Sequence, residues 1–355
     1  MTIDYKQTLD NLISIVVQED ASDLHLAEGR QPIIRVSGSL TPLVKESPLS
    51  RADIKGMLDE LLDARKKEVF LEEKEIDFGY DHKGVARFRG NAFFQLGKIS
   101  IALRLIPKRI KTLEELHLPQ ILESFANKQQ GFFLVVGPTG HGKSTTLAAM
   151  LDMINERRLD HIITIEDPIE YIFEQKKAII DQREVSEDTK DFSTALKSMF
   201  REDIDVVMVG EMRSADTMAT AVTAAETGHL VFSTLHTNNA AQTVARIIDS
   251  FNAEQQNQIR IQLSASLIGI FSQRLVPRIA GGLIPACELL INNSAVANLI
   301  RENRIHEINT VIETGSEQGM IDLNRYLVEL VRAGEITREN AFLYSTNPKG
   351  LDKMI

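Results

Sequence analysis

Apolar positions in the first 107 residues change their period several times along the chain. Residues 8–19 carry apolar side chains at helical spacing, and a second helix is predicted at about residues 51–64. The pattern therefore predicts a small α+β domain at residues 1–107, followed by a basic, proline-bounded linker at 108–118. Short strands are predicted where apolar residues alternate or cluster between glycine-containing turns, at SDLHLAEG, PIIRVSGSLTPL, EIDFGYDHKG, GVARFRGNAFFQLG and KISIALRLIP.

From Gly131 onward, short apolar runs alternate with amphipathic segments. Continuous apolar strands of this kind are typical of a parallel sheet that is covered on both faces, so the fold class is α/β. This second domain is predicted to span residues 119–355, and its last part, 254–355, to be mainly helical with one strand-like stretch at 283–291. The strands are predicted at FFLVV, HIITIED, IDVVMVGE and HLVFSTLH, and the helices at 143–157, 190–200, 214–226 and 239–250.

Composition and charge narrow the class of protein. The 355 residues are 43% hydrophobic and 25% charged, as in globular proteins, and this length suggests two domains. The formal net charge of −10 opposes binding of a polyanion, so nucleic acid is not an expected partner. Cys287 is the single cysteine, which excludes a disulfide within the chain and suggests a reducing compartment.

Membrane and export signals are also missing from the sequence pattern. No apolar stretch approaches the length of a membrane span, and the first residues, MTIDYKQTLD, are polar and acidic rather than basic and then apolar. We therefore expect a cytoplasmic protein whose contact with a membrane runs only through partners.

The segment GPTGHGKST matches the phosphate-binding loop pattern G-x-x-x-x-G-K-[ST] between an apolar strand and an amphipathic helix. In such a loop the backbone N–H groups and the helix N-terminus bind phosphates, and the lysine adds a positive charge. Lys143 is that lysine, and Ser144 is the predicted Mg²⁺ ligand. The motif predicts that ATP and Mg²⁺ bind here, through Gly137, Pro138, Thr139, Gly140, His141, Gly142, Lys143, Ser144 and Thr145.

Two acidic clusters follow predicted strands, at the edge where open α/β sheets bind their ligands. Glu166, Asp167 and Glu170 lie in ITIEDPIEY, and Glu211 follows VVMVG at the Walker B position. Phosphoryl transfer needs one carboxylate to hold the metal through water and another to orient the attacking water. Both clusters are candidates for these roles, and ordinary solvated loop charge is the alternative.

Two histidines and three arginines are weaker candidates. His229 and His236 flank the strand LVFSTL, and histidines in such places are more often satisfied core or loop residues than ligands. Arg87 and Arg89 are two apart on a predicted strand and so share a face, and Arg104 follows on the next strand. Surface charge is the default interpretation of these arginines. The alternative is that they neutralise transition-state charge from outside the P-loop domain.

The set of motifs resembles the type IV pilus retraction ATPases of the secretion-ATPase superfamily, the PilT family. The resemblance covers almost the whole chain. It implies a homohexameric ring in which each subunit has a PAS-like N-terminal domain, a short linker and a RecA-like domain. It also implies ATP hydrolysis that drives pilus retraction through an inner-membrane platform protein of the PilC type. The motifs that carry it are SDLHL, VARFRGN, GPTGHGKSTTLAAMLD, TIEDPIEY, QREV, VGEMR, TAAETGHLVFSTLHT and NLIRE.

The resemblance also implies roles for the candidate residues. Glu170 would be the general base, with Glu166 and Asp167 in support. Glu211 would act on Mg²⁺ through water. His229 and His236 would form a histidine box. Arg89 and Arg104 would approach a nucleotide across a domain or subunit boundary.

Three positions depart from the pattern of this family. His141 replaces a small residue, Ile204 replaces a proline, and Ala297 stands where the motif AVANLIRE normally has an arginine. That last motif is associated with retraction rather than hydrolysis. The alternatives are an extension or type II secretion motor, a PilU-like accessory, and a nucleotide-gated scaffold with little turnover. Those secretion motors commonly carry a tetracysteine zinc segment, which a chain with one cysteine lacks. The acidic net charge opposes a fourth alternative, a DNA-translocating ring.

Overall fold

The structure is a computed structural model that describes residues 4–36 and 38–355. Contacts between residues divide the chain into two units. The first runs through Arg109 and includes Pro168–Ile172, and the second consists of Ile110–Asp167 and Phe173–Ile355. The first three residues, on which part of the expectation about the N-terminus rests, lie outside the described residues.

The described part of the first unit contains an antiparallel sheet and three helices. The strands lie in the order β3-β2-β1-β6-β5-β4. The elements are α1 (Tyr5–Gln18), β1 (Asp23–Ala27), β2 (Ile33–Val36), β3 (Ser39–Pro42), α2 (Arg51–Leu61), α3 (Ala64–Glu73), β4 (Glu75–His82), β5 (Ala86–Gln95) and β6 (Lys98–Ile106).

Alternation along the strands gives this sheet one buried and one more open face. On β5, Phe88 and Ala92 are buried in the core with apolar residues of α1 and α2. Arg87 and Arg89 occupy the intervening, partly exposed positions, which confirms that they share a face. Helix α3 was not predicted, because its buried side chain, Phe70, gives the sequence no apolar stripe to read.

The second unit is built around a larger sheet with helices between its strands. Its elements are α4 (Leu122–Ala126), β7 (Gly131–Val136), α5 (Lys143–Arg157), β8 (His161–Glu166), β9 (Ile179–Glu184), α6 (Phe192–Met199), β10 (Val206–Val209), α7 (Ala215–Glu226), β11 (Leu230–Leu235), α8 (Ala240–Asp249), α9 (Ala253–Ser266), β12 (Leu267–Pro277), β13 (Leu283–Ile291), α10 (Ser294–Arg301), α11 (Ile308–Thr314), α12 (Leu323–Arg332), α13 (Arg338–Tyr344) and α14 (Pro348–Asp352), with 3₁₀ turns at Ile305–Glu307 and Ser316–Gln318.

The strands of this sheet lie in the order β13-β12-β7-β11-β10-β8-β9. All neighbours are parallel except β12 and β13, which are antiparallel. Strands β7 and β11 are buried along their whole length, which explains their unbroken apolar sequences. Because β7, β8, β10 and β11 run in the same direction, their carboxyl ends meet at one edge of the sheet. The α/β fold class is confirmed.

The expectation of a single strand within residues 254–355 is wrong. Strand β12 covers eleven residues, pairs with β7 in parallel and with β13 in antiparallel fashion, and so extends the sheet by two strands. Its sequence, LIGIFSQRLVP, is a short apolar run followed by polar residues, and periodicity alone does not separate such a run from a helix. Strand β9 was also not predicted, since its sequence IIDQRE is largely polar.

Two simpler expectations concern burial and membrane spans. Cys287 is buried on β13, as expected for a small apolar residue. Within the part of the chain that the structure describes, no helix combines the length and apolar character that crossing a membrane requires.

Candidate nucleotide-binding and catalytic site

The phosphate-binding loop lies between β7 and α5, at the carboxyl edge of the sheet of the second unit. Gly142 is the N-cap of α5 and has φ of 81°, a left-handed conformation that glycine adopts without strain. Gly137 has φ of 145°, and a Cβ there would lie 2.3 Å from the carbonyl oxygen of Gln273 on β12. The loop therefore needs glycine at these positions, and it presents the N-terminus of a fifteen-residue helix toward any ligand it holds.

Lys143 is buried and folds back over the loop. Its Nζ donates to the carbonyl oxygens of Gly137 and Pro138 at 2.9 and 3.0 Å. A buried ammonium group above a helix N-terminus suits a phosphate group, because both carry positive charge toward the same space. Ser144 follows in the first turn of α5, in position to contribute a hydroxyl group. The residues present therefore fit a nucleoside phosphate.

His236 joins this loop to the Walker B segment. Its Nδ1 lies 3.4 Å from Lys143 Nζ and 3.3 Å from Thr139 Oγ1, and its Nε2 lies 3.2 Å from Glu211 Oε2. The network assigns the proton to Nε2, because a lysine ammonium can only donate. Glu211 also forms an ion pair with Arg213. The His236 side chain thus links the phosphate-binding loop, which carries Thr139 and Lys143, to the segment that carries Glu211.

Neighbouring strands hold Glu211 in place. Ser233 Oγ and Thr234 Oγ1, on β11, donate to the carbonyl oxygens of Val209 and Gly210 at 2.8 and 2.6 Å. The N–H of Gly210 donates to Ile165 O on β8 at 2.8 Å. Because three parallel strands share these contacts, the loop that carries Glu211 starts from a rigid position.

The first acidic cluster is divided between a buried and an exposed part. Glu166, at the end of β8, is buried, and its Oε1 accepts hydrogen bonds from Thr164 Oγ1 at 2.7 Å and Gln182 Nε2 at 3.4 Å. Asp167 and Glu170 are exposed in the loop that follows. Glu166 is therefore a residue that fixes the strand end, and the two exposed carboxylates are the ones that solvent reaches. The predicted role of Glu170 stays a prediction.

The two histidines of the predicted box lie at opposite ends of β11. His229 precedes the strand, where its Nδ1 lies 3.0 Å from Ala224 O and its ring contacts Phe200 edge-on. Six residues of strand separate it from His236, which corresponds to about 20 Å. Of these two histidines, His236 lies among the loop and Walker B residues, and a role of His229 in nucleotide binding stays a prediction.

The arginines of the first unit form a row with an aspartate. Arg35, Asp23, Arg104 and Arg89 lie opposite one another in register across β2, β1, β6 and β5. Arg104 Nε donates to Asp23 Oδ1 at 2.9 Å, while 70% of the Arg104 side chain is exposed. Burial alone would raise the pKa of Asp23, but hydrogen bonds from Ser22 and Arg104 lower it below its ordinary value. Asp23 is therefore charged and holds one side of the Arg104 guanidinium.

Sequence reasoning missed the residues of β12 that lie against the phosphate-binding loop. Gln273 Oε1 accepts from Thr146 Oγ1 at 2.6 Å, and Gln273 Nε2 donates to His141 O at 2.9 Å. The N–H of Leu275 donates to His141 Nδ1 at 2.8 Å. Asp23 was missed as well. These residues reach the loop because β12 pairs with β7, and the sequence pattern carries no signal of that pairing.

Comparisons with known proteins identify the family of this chain. A family model described as Type II/IV secretion system protein matches residues 4–320. The chain is 44% identical over 333 residues to the type IV pilus retraction ATPase PilT of Pseudomonas aeruginosa, covering 94% of this chain and 96% of that protein. It is 40% identical over 347 residues to the type IV pilus ATPase PilU of the same organism, covering 98% and 91%.

A solved structure supports the same relationship. The crystal structure of the pilus retraction motor PilT with bound ADP is similar with a TM-score of 0.91 and 44% identity, covering 97% of this chain and 99% of that chain. With a family match over most of the chain and relatives of similar length, the chain belongs to the Type II/IV secretion system protein family.

Proposed function

We propose that this chain is a motor ATPase that couples ATP hydrolysis to retraction of a type IV pilus. The observation that carries the proposal is the contact series Lys143–His236–Glu211, which links a phosphate-binding lysine to a Walker B carboxylate. Similarity to PilT along nearly the full length of both chains supports the choice of retraction among the activities of this family. The ADP bound in the PilT crystal structure supports nucleotide as the ligand.

The cofactors in this proposal are ATP and Mg²⁺. The loop Gly137–Thr145 would hold the phosphates, Ser144 would contribute a hydroxyl ligand to Mg²⁺, and Glu211 would act on the metal through water. Bound Mg²⁺ neutralises charge that develops on the phosphoryl oxygens. Glu170 takes the proton of the attacking water, and the buried Glu166 keeps the strand end in place. His236 couples the binding of nucleotide in the loop to the position of Glu211, because it contacts both Lys143 and Glu211.

The proposal includes a division of the chain and an assembly. Residues 1–107 form a PAS-like domain, 108–118 a linker, and 119–355 a RecA-like domain. Six chains form a ring, and Arg89 and Arg104 approach a nucleotide held elsewhere in the ring. His229, which lies far from the loop of its own unit along β11, acts at a boundary between subunits.

The partner in this proposal is an inner-membrane pilus platform protein of the PilC type, and the motor works at the cytoplasmic face of that membrane. A PilU-like accessory role is the second candidate, because the chain is 40% identical to PilU over 98% of its length.

An ATPase assay tests the enzymatic part of the proposal. We expect measurable ATP hydrolysis by the full chain and a loss of about 100-fold or more for Lys143→Ala and for Glu170→Gln. The exposed Glu313, on α11, supplies a matched control, and Glu313→Gln should leave the rate unchanged. Equal and negligible rates in all four proteins would contradict the motor function and favour the scaffold alternative.

A further inference from the structure

We propose that His141 is a positioning residue, which anchors the phosphate-binding loop to β12 through its Nδ1 atom. We call the hydrogen bond between His141 Nδ1 and the Leu275 N–H the His141 anchor. The proposal rests on the proposed nucleotide site and adds a residue that shapes it.

Two contacts hold His141 against β12. The backbone N–H of Leu275 donates to its Nδ1 at 2.8 Å, and the side-chain Nε2 of Gln273 donates to its carbonyl oxygen at 2.9 Å. Residues 273 and 275 are two apart, so their backbone groups point to the same edge of the strand. Gly142 lies close to the same strand, because a Cβ on it would approach Gln273 Nε2 to 2.9 Å. The loop is fixed immediately before the first turn of α5.

The pairing of β12 explains why Leu275 needs this partner. Strand β7 accompanies β12 only as far as Ser272, opposite Val136, and then turns into the phosphate-binding loop. Leu275 therefore extends beyond the end of β7, and on the other side it faces Pro285 of β13. A partly buried N–H without an acceptor costs free energy. The imidazole of His141 supplies the acceptor that β7 no longer provides.

The anchor requires neutral imidazole with its proton on Nε2, because Nδ1 accepts a hydrogen bond. Burial lowers the pKa of His141, and the charges of Arg274 on β12 and Lys143 on α5 lower it further. Tyr344 of α13 faces the ring edge-on, and Arg274 Nη1 donates to the carbonyl oxygen of Tyr344. Burial lowers the pKa of Arg274, and the negative charge of Glu288 on β13 partly offsets this because it favours the charged form of Arg274. The anchor is therefore complete at neutral pH and is lost as the pH falls through the lowered pKa.

Substitutions of His141 distinguish the atoms involved. Asparagine places an amide oxygen near the position of Nδ1 and does not titrate, glutamine places its polar atoms near the position of Nε2, and serine is too short to reach Leu275. We expect His141→Asn to retain most of the affinity for ADP, and His141→Ser and His141→Gln to lose about threefold to tenfold. His306→Ser, which removes an exposed histidine, is the matched control and should bind as the wild type does.

The experiment measures ADP binding with Mg²⁺ to the full chain by calorimetry at pH 7.5 and pH 5.5, with amide hydrogen exchange of peptides that contain Leu275. Between pH 7.5 and pH 5.5, the affinity of the wild type for ADP should fall more than the affinity of His141→Asn. Titration of the nucleotide itself affects both proteins equally, so the comparison removes it. Exchange at Leu275 should be faster in His141→Ser without nucleotide.

Unchanged binding and exchange in His141→Ser would overturn the anchor while leaving the nucleotide site intact. Retention by His141→Gln together with loss in His141→Asn would also overturn it, since it would point to direct contact of Nε2 with the ligand. Absence of ADP binding by the wild type itself would contradict the proposed function, and the anchor with it.

Discussion

The candidate site of the second unit and the arginine row of the first unit are built in opposite ways. In the second unit, Lys143 is buried and its neighbours His236 and Glu211 contact each other within the same unit. In the first unit, Arg104 is fixed at one atom by Asp23 and leaves 70% of its side chain to solvent. A site that is complete in its own contacts can bind a ligand alone, whereas an exposed cationic row needs an anionic surface to act on. In the proposed function, the second unit binds the nucleotide, and the arginine row is proposed to act on a nucleotide held elsewhere in the ring.

The largest effect is expected from a substitution that removes the Walker B carboxylate of Glu211. We expect Glu211→Gln to lower the ATPase rate on the order of 100-fold while leaving ADP binding within a few-fold of the wild type, because the loop and Lys143 remain. Steady-state kinetics and calorimetry on the same preparations measure the two quantities. Arg213→Gln, which keeps Glu211 but removes its ion pair, is the companion variant and should cost far less. If Glu211→Gln lost ADP binding as well as ATPase activity, Glu211 would be needed for binding and not for hydrolysis alone.

An intermediate effect is expected from the arginine row. Arg104→Ala should lower the ATPase rate by roughly tenfold, and Asp23→Asn by roughly threefold, because the asparagine still reaches Arg104 but no longer orients it by charge. Neither change should alter ADP binding to a single subunit. Asp77→Asn is the matched control, since that exposed carboxylate lies in the same sheet and accepts from Asn91. If Arg104→Ala and Asp23→Asn both have the same rate as Asp77→Asn and the wild type, the row has no role in turnover.

The smallest effect is expected on the free energy of unfolding, through the buried carboxyl group of Glu288 on β13. Burial raises the pKa of Glu288 to about 7, although the Ala240 N–H donates to it at the start of α8. A carboxyl group whose pKa rises on folding takes up a proton, so its stabilising contribution is present below the unfolded pKa and is lost as the pH rises through about 7. Glu288→Gln keeps the acceptor and removes the charge. We expect it to be more stable than the wild type at pH 8, by on the order of 2 kcal/mol, with little difference at pH 4.5.

Thermal unfolding of the wild type and Glu288→Gln across this pH range measures that difference. Glu313→Gln serves again as an exposed control. A constant difference between Glu288→Gln and the wild type at all pH values would mean that folding does not change the pKa of Glu288.

Some parts of this molecule follow from local sequence and others from contacts between distant segments. Helix α5 was predicted at 143–157 and is found at Lys143–Arg157, because the glycine-lysine motif fixes where the helix begins. The neighbours of the loop were not predicted. Gln273 and Leu275 come more than 120 residues after the loop and reach it because β12 pairs with β7. No local pattern encodes such a pairing.

The same reasoning applies to the first unit. The sequence predicts that Arg87 and Arg89 share a face, since this follows from the two-residue period of a strand. That Asp23 lies beside Arg104 depends on the register between β1 and β6, which are separated by most of the unit. The role of His229 remains a prediction, because a single chain does not contain the subunit boundary at which it would act. The role of Glu170 as general base also remains a prediction.

The most direct test of the central claim is pilus retraction in a strain that lacks its retraction ATPase. Complementation with this chain should restore retraction and twitching, whereas the Glu211→Ala form should give cells that carry pili and do not retract them. Retraction that is equally restored by both forms, or by neither while both are produced, would contradict the claim that ATP hydrolysis at this site drives retraction.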